Sequence, residues 1–364
     1  MKHSIKYIRG LTLIEMMISL TIGMVLIVAV GYAFLGGQAA NRQHEALARM
    51  QEGARFAFET LTYDIRMAGF TGCRSTSSVN LLDGSNFFNN LYSQPLVGYD
   101  AGSMPAVVTA SVAGDALTIL RADNSNEYTV DSHNPASAQF SLTPATHDLQ
   151  EGEILVVTDC SHSATFQRTN SGNPVVHNVG NSTAPGNCTK GFGESAVGSG
   201  VPLCGNTNGV AYTFLPGSRL LRMSGNIYFI GNNPNAIPSL YRLRLSTLGG
   251  NAVTRAEELV EGVEDMQITY GVDTSNPATC SQTDGVVDTY VAANAVAATA
   301  PCATAADDWK KVLSVRVRLL MRTENFIVSQ PQPYFYNNPL IATTPADRRL
   351  RKVFTTTIAV RNRL

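Results

Sequence analysis

The chain has 364 residues, a formal net charge of −1 and 44% hydrophobic residues, the balance of a globular chain that buries a core in one large domain or two modest ones. Near-neutral charge gives no general electrostatic reason to bind nucleic acid. The sequence has no Gly-rich phosphate loop followed by Lys-Ser/Thr, and its six cysteines lack the Cys-x-x-Cys spacing of zinc and thioredoxin-like sites.

At the N-terminus Lys2, Lys6 and Arg9 precede Gly10, with no acid among them. An apolar run then extends from Leu11 to Leu35, about 25 residues, enough to cross a bilayer core as a helix. It is too long for the apolar core of a secretory peptide, roughly 7–15 residues, and Gly37-Gln38-Ala39 makes a poor cleavage site. One residue in the run is out of place. Glu15 puts a carboxylate into an otherwise uncharged segment, where a lone charge costs several kcal/mol and calls for a partner and a task. The basic residues before Leu11 place that end in the cytoplasm and everything after Leu35 across the membrane.

Past Gly36-Gly37, a weak point for a helix, Leu47, Met50, Ala54, Phe58, Leu61, Ile65 and Ala68 recur at spacings of three and four. That is one apolar stripe on an amphipathic helix, and its bland meaning is core packing. Arg42, Glu45, Arg49, Glu52, Arg55, Glu59 and Asp64 fill the other faces, and Gly69 and Gly72 end the helix. Residues 75–105 are rich in Asn, Ser and Gly and read as loop. Short β-branched runs follow at Ala116–Leu120, Gln139–Leu142, Ile154–Val157 and Ala164–Gln167, and residues 170–209 are again loop-like. Ile227–Ile230 and Leu240–Leu245 read as a hairpin across an Asn/Pro turn. Met266–Tyr270 follows a Glu-rich lead-in. Leu313, Val315, Val317, Leu319 and Met321 alternate with Ser314, Arg316, Arg318 and Arg322, a half-buried antiparallel strand. Phe354, Thr356, Ile358 and Val360 form a last period-two run.

The fold class expected is α+β. A long N-terminal helix, transmembrane in its first half and amphipathic in its second, packs on a C-terminal antiparallel β-sheet, with a β-rich, loop-rich middle insertion. The boundaries are 1–10 for a leader, 11–35 for the transmembrane helix, 36–72 for the amphipathic half, 73–215 for the insertion and 216–364 for the C-terminal sheet. In an oxidising compartment the even, scattered cysteines form disulfides. Six of them allow 15 connectivities, and the local pairs Cys188–Cys204 and Cys280–Cys302 are the simplest guess, leaving Cys73 with Cys160.

Chemistry-bearing groups are sparse. Asp159, Ser161, His162 and Ser163 supply nucleophile and base types, but adjacency is not a triad, and a polar turn at a strand end is the stronger reading. His44, His133, His147 and His177 lack ligand spacing. Asp273, Asp284 and Asp288 suggest a calcium loop without the EF-hand pattern. Arg348, Arg349, Arg351 and Lys352, with Arg361 and Arg363, invite a DNA reading, against edge protection of a strand as the bland one. No catalytic residue, cofactor or metal is expected, and the chain is not expected to be an enzyme.

The leader ending in Gly10, then the apolar helix with Glu15 at its fifth position, resembles the type IV pilin superfamily. Tyr63–Cys73, Ile227–Gly231, Ser239–Arg242, Val263–Gly271 and Val360–Asn362 resemble the PilW-like minor pilins. The resemblance covers both ends well and the middle poorly, and J-type pseudopilins of type II secretion share part of it. It implies that a prepilin peptidase cuts after Gly10 and that the amine of Leu11 is methylated, although Leu stands where the family most often has Phe. Removing the three positive charges of the leader takes the formal charge to −4. The resemblance also implies that Glu15 pairs with the Leu11 amine of a neighbouring subunit during assembly. The implied partners are other minor and major pilins through the N-terminal helix, the peptidase, the inner membrane and, as a candidate, a large tip adhesin. Nucleic acid is not an expected partner. The function expected is that of a minor pilin in the tip or priming complex of a type IV pilus, held in the inner membrane with a periplasmic domain. The alternatives are a J-type pseudopilin, or a pilin that binds a ligand or DNA.

Overall fold

The computed structural model describes residues 12–179, 184–196, 199–275, 284–299, 305–338 and 340–362. Helix α1, Leu13–Met67, is 55 residues long, about 80 Å at 1.5 Å per residue. It runs without a break through Gly36-Gly37, since the stretches on either side are good helix formers and two glycines cost only about 1 kcal/mol each. Its first half makes no contact with the rest of the fold: the most apolar stretch is entirely unburied, and it is long and apolar enough to cross a membrane. The first buried residue is Met50, followed by Ala54, Ala57, Leu61, Asp64 and Ile65. Leu47 and Phe58 flank this stripe, half-buried. At the end of α1, Gly69 adopts φ +76°, a conformation that costs glycine nothing, and its amide donates to the carbonyl of Leu120 (2.9 Å).

The remaining elements are β1 (Ser77–Asn80), β2 (Leu96–Tyr99), β3 (Ser111–Asn134), β4 (Gln139–Thr143), β5 (Ile154–Thr158), β6 (His162–Gln167), β7 (Val175–Val176), β8 (Arg219–Asn232), β9 (Pro238–Leu248), β10 (Asn251–Glu261), β11 (Val263–Val272), β12 (Thr289–Val291), α2 (Val296–Thr299), α3 (Ala305–Lys310), β13 (Val312–Arg322), β14 (Tyr334–Asn338), β15 (Ile341–Thr343) and β16 (Arg351–Ala359). Ten strands form one sheet, in the order β1-β6-β5-β8-β3-β4-β7, with β2 on β3 and β9-β10 on β8. All its pairs are antiparallel except β1–β6. A second sheet runs β12-β11-β13-β16, and β14-β15 make a small hairpin.

The long strands β3 and β8 tie the molecule together. They pair over Leu117–Asp123 with Tyr228–Arg222 and, after a register shift, over Glu127–Thr129 with Leu221–Arg219. Such shifts bend a strand and raise its twist, so each strand serves two cores. Leu117, Ile119, Tyr228 and Ile230 lie in the core that receives the stripe of α1, together with Met266, Ile268 and Tyr270 of β11, Val315, Val317 and Leu319 of β13, and Ile358 of β16. Tyr128, Val130 and Leu220 lie in a second core with Phe140, Phe166, Phe192 and Phe214. The expected hairpin forms between β8 and β9, with Ile227 opposite Leu243 and Ile230 opposite Leu240.

Three details differ from the sequence reading. The stretch 75–105 holds two short strands, β1 and β2, which lie against better-patterned neighbours instead of forming a period of their own. The Glu-rich lead-in to β11 is the strand β10, whose Arg255 and Glu257 face Arg244 and Arg242 on β9; charges on a one-sided strand hide its alternation. Asp64 does not lie on a solvated face: it is 2% exposed.

Candidate functional site

The membrane end of α1 is built from a Thr-x-x-Glu spacing. Thr12 caps the helix: its Oγ1 accepts the amide of Glu15 (3.3 Å), while the Glu15 carboxylate accepts the Thr12 amide and hydroxyl (both 2.9 Å). This capping box satisfies helix-end donors that otherwise lack partners. It also gives Glu15 a polar partner inside its own chain. The role of Thr12 was legible in its spacing to Glu15 and was missed. Gly10 and Leu11 lie outside the described residues, so the cut and the amine are argued from sequence only.

The other end of α1 is anchored by a second carboxylate. Asp64 accepts from Arg121 Nε (2.9 Å) through one oxygen, and from Asn226 Nδ2 and the Tyr228 hydroxyl (both 2.6 Å) through the other. Arg121 is itself 7% exposed and stacks over the ring of Tyr63 (4.9 Å). Burial, with the Asp64 charge beside it, pushes the Tyr228 phenol well above its ordinary value and keeps it a donor. Directly after the helix, Cys73 is bonded to Cys160 with Cα atoms 5.3 Å apart, and a second bridge joins Cys188 to Cys204. Cys280 and Cys302 lie outside the described residues. The last turn of α1 is therefore fixed to β3 by a buried ion pair and to β8 by two hydrogen bonds, and the chain just beyond it to the β5–β6 turn by a disulfide.

The other residue groups do not assemble into reaction chemistry. Asp159 accepts from the Ser161 and His162 amides and from the Tyr212 hydroxyl, an Asx turn at a strand end. The imidazole of His162 points elsewhere, with Nε2 on the Phe192 carbonyl (2.6 Å) and Nδ1 on Ser77 Oγ (2.8 Å). Asp273 accepts from Ser275 and Gly285, and Asp288 from Thr274, so these carboxylates bind their own loop. No group of three or more His, Cys, Asp or Glu side chains placed to hold a metal occurs among the described residues. In the basic cluster Arg351 is clamped by Glu264 (2.6 and 2.9 Å) and by Asp347 (2.6 Å), and Arg349 by Asp347 (3.1 Å). Those two charges are thereby neutralised as phosphate ligands; Arg363 lies outside the described residues.

A free apolar helix whose carboxylate is held, among the described residues, by its own helix end, continuous with a half that packs on a sheet domain, is the build of a membrane-anchored subunit; with the methylation motif that its N-terminus matches, it is an inner-membrane-anchored pilin with a periplasmic C-terminal domain, incorporated into the pilus. Residues 5–31 match the prokaryotic N-terminal methylation motif. Residues 227–362 match the family model of the Type IV Pilus-assembly protein W, a stretch that begins within β8 and runs through β16. The chain is thus a PilW-like minor pilin of type IV pilus assembly, and it interacts with other pilins and the pilus machinery. No curated protein and no solved structure matches the chain.

Proposed function

We propose that this minor pilin acts in the tip or priming complex that starts the fibre, and that Glu15 is the charge that registers it there. The observation that carries the proposal is the state of Glu15: among the described residues, its carboxylate has polar partners only at the same helix end. In a low-dielectric bundle of helices a methylated amine on a neighbouring Leu11 outcompetes a neutral capping contact. An opposite charge there gains far more than a hydroxyl does, and each charge alone would be buried and unpaired. A sheet domain this large beside one helix crowds a repeating shaft, which favours an end position. A prepilin peptidase that cuts after Gly10 creates the amine, and a large tip adhesin is the candidate partner beyond the fibre end.

The test is Glu15→Leu. Membrane insertion stays intact or improves, because a polar group worth about 2.5–3.5 kcal/mol at a helix centre, and less near its end, is removed. Cleavage after Gly10, read by mass spectrometry as a methylated Leu11 terminus, largely continues. Pilus number and the amount of this subunit in sheared fibres fall, while its membrane pool stays level or grows. Normal fibres with normal incorporation would show that Glu15 is not the register charge.

A further inference from the structure

The second core contains two histidines, His133 and His177, that face each other. The Phe214 amide donates to Nδ1 of His133 (3.1 Å), and Nε2 of His133 lies 3.2 Å from Nε2 of His177. The first bond requires a bare Nδ1 on His133, so its proton is on Nε2 and is given to His177, whose own proton is then on Nδ1. That Nδ1 is buried with no hydrogen-bond partner among the described residues. Phe140 stacks on His133 (4.1 Å) and Phe192 packs on His177 (4.4 Å), with Phe166 and Phe214 completing the surround. His177 is fully buried and His133 is 9% exposed.

The described residues 187–196 and 199–214 carry Phe192 and Phe214 into this core. They have no strand of their own beyond single bridges. They are cross-linked to each other by the Cys188–Cys204 disulfide and by the Lys190 and Gly193 amides, which donate to the Thr207 and Val210 carbonyls. To the rest of the domain, the Cys188 amide donates to Leu81 (2.7 Å), Asn187 exchanges hydrogen bonds with the backbone of Gln167 (2.7 Å each), His162 holds the Phe192 carbonyl, Tyr212 holds Asp159, and His133 holds Phe214.

We propose that the described residues 205–214, tethered at Cys204 by its disulfide to Cys188 and latched at their C-terminal end by the Phe214–His133–His177 hydrogen-bond chain, form an acid-loosened flap on the periplasmic domain. The chain of donors cannot accept another proton and stay intact. A proton on His133 turns Nδ1 into a donor facing the Phe214 amide. A proton on His177 sets two N–H groups against each other; if His133 changes tautomer to relieve that, it again loses Phe214. No carboxylate is among the groups found around the pair to compensate. Those with charge are Lys190, whose charge also disfavours a proton on His177, and His162 with its neighbours Asp159 and Glu194. Burial lowers His162 as well, but a proton on it finds acceptors on both sides, the Phe192 carbonyl at Nε2 and, relayed through Ser77, Glu194 at Nδ1. The latch therefore fails at Phe214 before Phe192.

Burial lowers His133 to about 4 and His177 well below its ordinary value. With both lowered relative to the open chain, the open form binds more protons. Latch stability is full above about pH 6.5 and is lost as pH falls toward 4. Global melting will not isolate this. Burial pushes Asp115, at the junction of β3 and β11, up to about 6, and its contribution has the opposite sign, present in acid and lost as pH rises through that value.

The experiment is segment-resolved hydrogen exchange on the full chain in detergent micelles, corrected for intrinsic rates. Between pH 7.5 and 5.5 the opening constant read at residues 209–218 should rise about tenfold per histidine freed, about a hundredfold for both. Protection at residues 192–195 should change by less. In His177→Gln the amide oxygen still accepts from His133 and no longer titrates, so the rise drops to about tenfold. His162→Gln keeps the full response. Equal protection of 209–218 at both pH values, or an undiminished response in a folded His177→Gln, overturns the proposal. If that variant does not fold, the parent's own two-pH comparison decides.

Discussion

One helix carries two carboxylates with opposite fates. Glu15 is exposed and tied only to Thr12, three residues away; Asp64 is 2% exposed and takes donors from three side chains on two strands. The first is provisional under the proposed assembly step, in which the amine of another subunit replaces its capping partner. The second is committed, since a buried carboxylate facing Arg121, Asn226 and Tyr228 has nowhere else to go. The apolar half of α1 is thus left unburied by this fold, while the second half is fixed to the sheets.

The comparison predicts its largest effect at the committed end. Asp64→Ala leaves the Arg121 guanidinium buried without its main counter-charge and two further donors unpaired. The periplasmic domain should lose about 3–5 kcal/mol in urea unfolding. Membrane insertion and cleavage should not change, since the apolar half of α1 shares nothing with that core. A loss below about 1 kcal/mol would mean that the anchoring rests on apolar packing alone, as a surface pair would contribute.

Next comes the bridge. Cys73→Ser opens a link between residues 87 apart, which should lower stability by about 2–4 kcal/mol through the freedom returned to the unfolded chain. Reducing agent applied to the parent should shift the urea midpoint downward at least as far, since it opens the Cys188–Cys204 link as well. If Cys73→Ser matches the parent in oxidising conditions, the helix end is held by the Asp64 network without help.

The free end of the chain was legible and the fixed end only half so, for physical reasons. A charge in an apolar run stands out against its neighbours, and Glu15 did; its local partner Thr12 was legible too, in the Thr-x-x-Glu spacing. The stripe from Leu47 to Ile65 showed the buried face through its period. Asp64 sits beside that stripe, but its partners are 57, 162 and 164 residues away in sequence, and no local pattern separates a buried aspartate from a solvated one. The same holds for His133 and His177. Each looks isolated in sequence, and the strand order that brings them within 3.2 Å is a property of the sheet. The middle region was read as short strands and loops, and its strands are there. What sequence did not reveal is that β3 and β8 are long, bent and shared by two cores, because register shifts leave no mark in composition.

The smallest effect expected is at Thr12, and it asks whether the two ends are independent. Thr12→Val removes the acceptor of the Glu15 amide and one of the two donors to its carboxylate, while the backbone amide at position 12 still donates. Losing such a cap costs about 1 kcal/mol, so the Glu15 amide should exchange roughly fivefold faster in micelles. Thr12→Ser, which keeps the hydroxyl, should restore the parent rate. The urea midpoint of the periplasmic domain should not move in either variant, because no contact connects the helix between Leu13 and Leu35 to the sheets. A midpoint shifted by Thr12→Val would mean that strain at the membrane end reaches Asp64 along the helix. The division between a provisional and a committed carboxylate would then have to be given up for a single coupled rod.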